Sequence, residues 1–216
     1  MSSVNDSFKS TVRAAAQLCG KAKCSIHMLF PRREARFKGA KSLKLNIGCG
    51  NVKFSGWVNI DIEPGADIVV DVRTGLPLDA GCANFIYSEH FIEHLSFEEG
   101  EKVIKEFHRC LGTCGILRIA TPNLDYLMEK YNKGWKEQDW LLRPEYNFIK
   151  TKGQMINVCF SWWGHKFLYN EEDLTAQLSK AGFRKIVRCE IGKSMHVPFV
   201  GLETRKDSKL ILEAEK

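Results

Sequence analysis

The stretch Leu45-Asn46-Ile47-Gly48-Cys49-Gly50-Asn51 decides the fold of this chain. It is a short apolar run that ends in two glycines one residue apart, and Asp61 closes a second apolar run over residues 57–62. Together they predict a buried strand, a tight glycine turn and a second strand with a carboxylate at its tip. Glycine lets a backbone approach a ligand closely, and a carboxylate accepts two hydrogen bonds from a ribose diol. The segment therefore predicts a nucleoside-binding crevice at the carboxyl ends of parallel strands.

Further apolar runs extend this pattern into a larger sheet. The first strand is predicted over residues 44–48, and the strands after the second at 67–72, 83–89, 115–121, 183–191 and 208–215. The links at 48–57 and 63–66 are shorter than the helical crossovers that usually connect parallel strands. We therefore expect a turn in place of the first crossover helix. The second helix is either missing or the third strand lies elsewhere than residues 67–72.

Helices are predicted between the later strands. Ser96 stands before acidic residues, as an N-cap does, and an apolar stripe continues to Leu111 before a glycine stop. A second helix is predicted over residues 171–182. Between them, residues 123–170 carry eleven of the 23 aromatic residues. Because a structureless loop of this length is improbable, we expect helical pieces that form a lid over the crevice.

Three motifs in order resemble the class I S-adenosylmethionine-dependent methyltransferases. They are Asn-x-Gly-Cys-Gly-Asn from Asn46, Gly-Trp-Val-Asn-x-Asp from Gly56, and His-x-x-Glu-His-Leu from His90, and they are typical of a small bacterial-type group. The resemblance covers residues 44–216. It implies an α/β, Rossmann-like, seven-stranded, mostly parallel sheet with an antiparallel last strand, helices on both faces and a helical lid insertion after strand five.

The same resemblance assigns the cofactor site. Gly48 and Gly50 would let the chain pass the methionine part of S-adenosylmethionine, and Asp61 would take the ribose hydroxyls. Asp71 would lie at the adenine, while strand four would end beneath the sulfonium. The predicted cofactor-binding residues are Asn46, Gly48, Cys49, Gly50, Asn51, Asp61, Ile62, Asp71, Val72, Ser88 and Glu89.

A cluster of titratable residues follows strand four. By resemblance it borders the methyl-accepting site, where a positioned base removes a proton from the nucleophile. The predicted catalytic residues are His94, Glu93, His90 and His165. There are two alternatives. The cluster could stabilise the turn, or its three imidazoles and one carboxylate could hold a metal. The sequence alone does not assign a metal ligand.

Charge is distributed unevenly along the chain. Residues 1–44 hold ten Lys and Arg against two acids, whereas the remainder holds 22 against 24. We expect residues 1–40 to form a basic N-terminal helix and linker, and residues 41–216 to form the methyltransferase domain. The basic segment could contact an anionic partner such as nucleic acid, a membrane surface or a phosphorylated substrate, or it could simply be solvated. Its composition is also compatible with an organelle-targeting peptide.

Composition limits where the protein works. No apolar run reaches the roughly 18 residues that a membrane-spanning helix needs, and no signal-peptide core is present. Eight cysteines are scattered without a Cys-x-x-Cys pair, which favours reduced thiols in the cytoplasm over a disulfide framework or a zinc knuckle.

Two functions are compatible with these features. The first is an enzyme that transfers a methyl group from S-adenosylmethionine to an oxygen or nitrogen of a small-molecule or glycosidic acceptor. The second is a methyltransferase-like binding module or partner subunit without catalysis, in contact with RNA through its basic segment. The intact glycine turn and Asp61 favour the enzyme.

Overall fold

The computed structural model describes residues 35–216. Residues Gly39–Lys216 form one compact unit, while residues 35–38 belong to a separate one and include the 3-10 helix Ala35–Phe37. The predicted N-terminal helix and most of the linker lie outside the described residues. Over residues 35–216, no helix is both long enough and apolar enough to cross a membrane.

A single seven-stranded sheet organises residues 39–216. Its strands are β1 (Leu43–Ile47), β2 (Val58–Asp61), β3 (Ile68–Val69), β4 (Ala83–Glu89), β5 (Leu111–Thr121), β6 (Arg184–Arg188) and β7 (Leu210–Glu215). In space they follow the order β3-β2-β1-β4-β5-β7-β6. β1 to β5 pair in parallel, and β7 lies antiparallel between β5 and β6. The predicted Rossmann-like fold class is confirmed, including its antiparallel last strand.

A turn replaces the first crossover helix, as predicted, and of the two alternatives for the second link the missing helix is the one observed. After β1 the chain folds back so that the backbone N–H groups of Gly48 and Cys49 both donate to the Ile60 carbonyl, at 2.9 and 3.2 Å. β3 is shorter than the predicted strand over 67–72, because only two residues pair with β2. Asp71 consequently lies beyond the end of the strand.

Buried side-chain amides hold these turns in place. Asn46 Nδ2 donates to the Val52 carbonyl at 2.9 Å and to Asn59 Oδ1 at 3.0 Å. Asn59 Oδ1 also accepts from the Phe54 N–H, and Asn59 Nδ2 donates to Asp67 Oδ2 at 3.0 Å. Since buried polar backbone must be hydrogen-bonded, these amides supply partners that a crossover helix would otherwise provide.

Helix α1 (Phe97–Cys110) links β4 to β5. Ser96 caps it in a reciprocal arrangement: its hydroxyl accepts from the Glu99 N–H, and Glu99 Oε2 accepts from the Ser96 N–H. Val103, Ile104 and Phe107 form its buried stripe. We predicted a glycine stop and a strand from residue 115. Instead, β5 begins at residue 111 with no intervening loop, because the chain turns directly from helical to extended conformation there.

Helical segments fill the aromatic-rich insertion, as expected. Its longer helices are α2 (Leu124–Asn132) and α3 (Lys152–Asn157), joined by the 3-10 helices Trp135–Glu137, Asp139–Leu142 and Pro144–Tyr146 and followed by the π-helix Val158–Trp162. They pack around a core of their own, whose buried members are Leu127, Trp140, Ile149, Met155, Val158, Cys159 and Leu168. Five of the eleven aromatic residues of the insertion belong to this core or pack against it, namely Tyr131, Trp135, Trp140, Tyr146 and Trp163.

The chain then returns to the sheet through α4 (Glu171–Lys180), which contacts both α1 and β6. Asn170 caps this helix by accepting from the Asp173 N–H, and Gly182 after its end has a φ of +102°. On the sheet face that carries Tyr87 and Ile116, Phe199 of the 3-10 helix Val197–Phe199 is fully buried beside Trp57.

Candidate functional site

The glycine turn after β1 is stabilised by the acid that ends β2. Gly48 and Gly50 have φ values of +69° and +47°, in the left-handed region that favours glycine. Asp61 Oδ2 accepts from the Gly50 N–H at 2.8 Å, and Asp61 Oδ1 accepts from the Glu63 N–H at 2.9 Å. The two elements that sequence analysis paired are therefore in direct contact, at the carboxyl ends of neighbouring parallel strands.

Gly48 has a second constraint, which is steric. A Cβ atom there would lie 2.6 Å from the ring of Phe91, whereas a Cβ on Gly50 would meet nothing within 4 Å. We expect Gly48→Ala to lower the free energy of unfolding by about 1–3 kcal/mol more than Gly50→Ala, because overpacking adds to the backbone strain that both share. Urea denaturation of the two variants measures this difference. Equal losses would show that Phe91 moves aside.

The remaining residues of the predicted turn differ in exposure. Cys49 is buried, and Asn51 and Ile62 are exposed. Burial, with a contribution from the charge of Asp61, raises the pKa of the Cys49 thiol to about 11. The thiol is therefore protonated at neutral pH and acts as a small packing group. Asn46 is buried within the amide network described above, so its predicted contact with the cofactor remains a prediction.

Asp71 and Val72 follow β3 at the edge of the site. Asp71 caps the 3-10 helix Val72–Thr74, and its carboxylate forms a two-pronged pair with Arg73, with contacts of 2.8 and 2.6 Å. Arg73 also donates to Glu99 at 3.0 Å, which joins this segment to α1. Asp71 is thus already held in an ion pair, and its role at the adenine remains a prediction.

Ser88 and Glu89 end β4, where the sulfonium was predicted. The Ser88 hydroxyl is buried and lacks a hydrogen-bond partner. Glu89 instead accepts from the backbone N–H groups of Thr204 and Arg205 and from the hydroxyls of Thr204 and Ser208. Glu89 therefore anchors the loop before β7, a contact that sequence analysis did not predict.

Immediately after β4, His90 and Glu93 form a buried pair. His90 has a φ of +49°, unusual for a residue with a side chain. Its Nδ1 lies 3.3 Å from Glu93 Oε1, while Glu93 Oε2 accepts from the Thr121 hydroxyl at 3.0 Å. Glu93 is fully buried. Strained backbone at such a pair is typical of functional sites.

His94 and His165 complete the cluster from two distant parts of the chain. Their rings are 5.1 Å apart between centroids, and His165 Nε2 is 3.9 Å from Glu93 Oε1. The end of the insertion is tethered here, because the Glu93 carbonyl accepts from the backbone N–H groups of Lys166 and Phe167. The structure thus brings together all four predicted catalytic residues.

Burial and charge set the protonation of this cluster. Burial acts to raise the pKa of Glu93, but the neighbouring His90 and the charge of His94 outweigh it and leave the pKa lowered. Burial lowers the pKa of His165, and the nearby Glu93 only partly opposes this. At neutral pH the cluster therefore combines an ionised carboxylate with a neutral imidazole at His165.

A cavity of about 450 Å³ opens above the cluster. His90, His94 and His165 line one part of it, and the insertion contributes Trp140 and Trp163. Basic side chains complete the wall, namely Arg143, Arg205 and Lys209. Such a space, part aromatic and part polar, suits a small organic ligand.

Several residues of the site were not identified from the sequence. Thr121 lies at the end of β5 and donates a hydrogen bond to Glu93. The sequence feature that could have indicated it is the Thr-Pro pair at the end of an apolar strand. Arg143 and Arg205 are separated by some sixty residues and meet at the cavity only through the fold. Phe91 occupies the space beside Gly48, a contact that the sequence analysis did not predict.

The strand order, the antiparallel β7 and the glycine turn after β1 define the fold of the class I S-adenosylmethionine-dependent methyltransferases. Solved structures agree. A SAM-dependent methyltransferase from Archaeoglobus fulgidus is 18% identical, with 94% of this chain and 99% of that chain covered at a TM-score of 0.51.

Two further solved structures are similar over nearly the whole chain. One is a SAM-dependent methyltransferase, possible histamine N-methyltransferase, from Thermotoga maritima. It is 14% identical, with 97% of this chain and 98% of that chain covered at a TM-score of 0.51. The other is a SAM-dependent methyltransferase from Methanosarcina mazei. It is 16% identical, with 87% of this chain and 98% of that chain covered at a TM-score of 0.50. No family model and no curated protein sequence matches the chain. At these identities the likeness establishes the fold.

Proposed function

We propose that this protein transfers a methyl group from S-adenosylmethionine to an oxygen or nitrogen of a small-molecule or glycosidic acceptor. One observation carries the proposal: a glycine turn braced by Asp61 and a buried His–Glu cluster both lie at the carboxyl ends of the parallel strands. This edge is where open α/β sheets bind their ligands.

The cofactor is assigned to the turn between β1 and β2. Gly48 and Gly50 form this turn, and the space beside Gly50 is open, so the methionine part of S-adenosylmethionine can pass close to the backbone there. Asp61 carries its carboxylate at the tip of β2 and takes the ribose hydroxyls. The other residues of the proposed cofactor site are Cys49, Asn51, Ile62, Val72 and Ser88, with Asp71 and Glu89 at its edge.

Methyl transfer is an in-line displacement. A lone pair of the acceptor forms the new bond to carbon as the carbon–sulfur bond breaks, and the breaking bond's electron pair stays on sulfur to give neutral S-adenosylhomocysteine. The acceptor hydroxyl or amine must also lose a proton. We assign that proton to His90 Nε2, which is buried, has no hydrogen-bond partner and belongs to a side chain that lines the cavity.

Glu93 supports this role by its position. Its carboxylate contacts His90 Nδ1 at 3.3 Å, so it can fix the tautomer with Nδ1 protonated and stabilise the imidazolium that forms. The full burial of Glu93 strengthens this interaction, because the surrounding dielectric is low.

The acceptor is assigned to the cavity above the cluster. Its volume of about 450 Å³ accommodates a small molecule or a single sugar unit. Trp163 offers an aromatic face to such a ligand, and the buried Trp140 supports it, with 4.8 Å between the two ring centroids.

Cofactor binding should depend on Asp61. Loss of a hydrogen bond to a charged acceptor costs about 1.5–3 kcal/mol, so Asp61→Ala should weaken S-adenosylmethionine binding at least about tenfold. Isothermal titration calorimetry of the full chain measures the affinity. Glu63→Ala is the matched control, because Glu63 is exposed and only its backbone N–H contacts Asp61. Unchanged affinity in Asp61→Ala would remove the carboxylate from the site.

A further inference from the structure

We propose that Glu93, His94 and His165 bind a divalent transition-metal ion at the floor of the cavity. Each of these residues offers one ligand atom, and the three atoms all lie within 4.8 Å of one another. Glu93 Oε1 and His165 Nε2 are 3.9 Å apart. Ligands placed about 2.0–2.2 Å from a metal lie roughly 3–4.4 Å from each other, so only small side-chain shifts are needed to close the site.

The two histidines are oriented as metal ligands usually are. His165 Nδ1 lies 2.7 Å from the Cys159 carbonyl, and His94 Nδ1 lies 3.3 Å from the Gly164 carbonyl. A carbonyl can only accept, so each contact places the proton on Nδ1 and leaves a lone pair on Nε2. Backbone carbonyls fix metal-binding imidazoles in this way.

The carboxylate is equally prepared. Thr121 donates to Glu93 Oε2 at 3.0 Å, which orients the group, while Glu93 Oε1 is buried and, apart from the 3.3 Å contact with His90, has no partner. A buried carboxylate oxygen without a hydrogen bond is costly. A bound cation would satisfy this oxygen. The unpaired oxygen therefore points to a ligand independently of the spacing of the three residues.

The donor set indicates the kind of metal. Two imidazoles and one carboxylate suit zinc, manganese, iron or cobalt ions, whereas magnesium and calcium prefer oxygen ligands throughout. Three protein ligands leave coordination positions open, as in catalytic sites, and His94 and His165 line the cavity. If the proposed methyl transfer is correct, an acceptor oxygen would occupy an open position beside His90.

Metal binding can be tested on the full chain without an acceptor. After dialysis against a chelator, the protein should take up one Zn²⁺ or Co²⁺ per chain, measured by mass spectrometry, and Co²⁺ should give visible absorption bands of histidine coordination. His94→Ala and His165→Gln should each weaken binding by at least about 100-fold, since even outer-shell losses cost 10–100-fold. His196→Ala is the matched control, because this histidine lies outside the cluster and is partly exposed. Parallel titration with Mg²⁺ should show no comparable binding.

Three outcomes would overturn the proposal: no uptake, uptake unchanged in a His94→Ala/His165→Gln double variant, or binding of Mg²⁺ as tight as that of Zn²⁺. Circular dichroism of each variant separates loss of the site from loss of the fold. Calorimetry with S-adenosylmethionine keeps the two proposals apart. Metal uptake without cofactor binding would refute the proposed function alone, and methyl transfer by the metal-free chain would refute the role of the metal alone.

Discussion

His90→Ala should lower the turnover of methyl transfer about 10²–10⁴-fold, the usual loss when a general base is removed. The reason is geometric: His90 lines the cavity, its Nε2 is buried without a hydrogen-bond partner, and its Nδ1 lies 3.3 Å from the carboxylate of Glu93. Formation of S-adenosylhomocysteine with an acceptor found by screening small molecules and glycosides measures the rate. The affinity for S-adenosylmethionine should stay within about twofold, because the glycine turn and Asp61 are untouched.

A matched control separates chemistry from packing. His196→Ala removes an imidazole that contacts Phe85 and Phe199 on the other sheet face and should retain full turnover. Full turnover in His90→Ala would assign His90 a purely structural role and leave alignment of the reactants to carry the transfer.

Arg118→Leu should lower the free energy of unfolding by about 3–5 kcal/mol, the usual cost of removing one partner from a buried ion pair. Arg118 is fully buried in β5, and its guanidinium donates to Glu203 at 2.6 Å and to Glu213 at 2.5 Å. Its other contacts are the carbonyls of Glu190 and Lys193. Leucine would remove the guanidinium donor from both carboxylates and both carbonyls, and Glu203 would keep the Gly192 N–H as a partner.

Urea or thermal denaturation followed by circular dichroism measures this loss. Arg184→Leu is the control, because Arg184 is exposed on β6 and should change stability by no more than about 0.5 kcal/mol. A loss below about 1 kcal/mol in Arg118→Leu would mean that the loop over residues 189–205 opens and lets water reach Glu203 and Glu213. Thr204 and Arg205, at the end of that loop, donate their backbone N–H groups to Glu89. Arg205 also lines the cavity, so such opening would disturb the cavity wall.

Most of the sheet was predictable because its signals are local. The apolar runs, the glycine turn and the Ser96 cap each act within a few residues, and the strands and helix they predicted are present. Boundaries were less accurate where packing overrides local preference. The start of β5 at residue 111 and the two-residue β3 depend on pairing with neighbouring strands, which no local pattern records.

The site was predictable in composition but not in geometry. All four residues of the His–Glu cluster were identified by type, yet their arrangement depends on where the insertion returns. Lys166 and Phe167 donate their backbone N–H groups to the Glu93 carbonyl, and this contact brings His165 beside His94. Thr121 and Arg118 were not identified, because a hydroxyl and a cation in apolar strands acquire a role only from their partners.

The sequence by itself determined the order of strands and helices along the chain, the glycine turn, the acid at the end of β2, and the presence of imidazole and carboxylate groups after β4. These follow from backbone preference and apolar periodicity, which act over a few residues. Only the tertiary structure decided that His90 faces Glu93, that His165 joins them, and that Arg118 lies between two buried acids. Side-chain direction at the end of a strand is set by packing between segments far apart in the chain, and there the free energy of burial decides which groups meet.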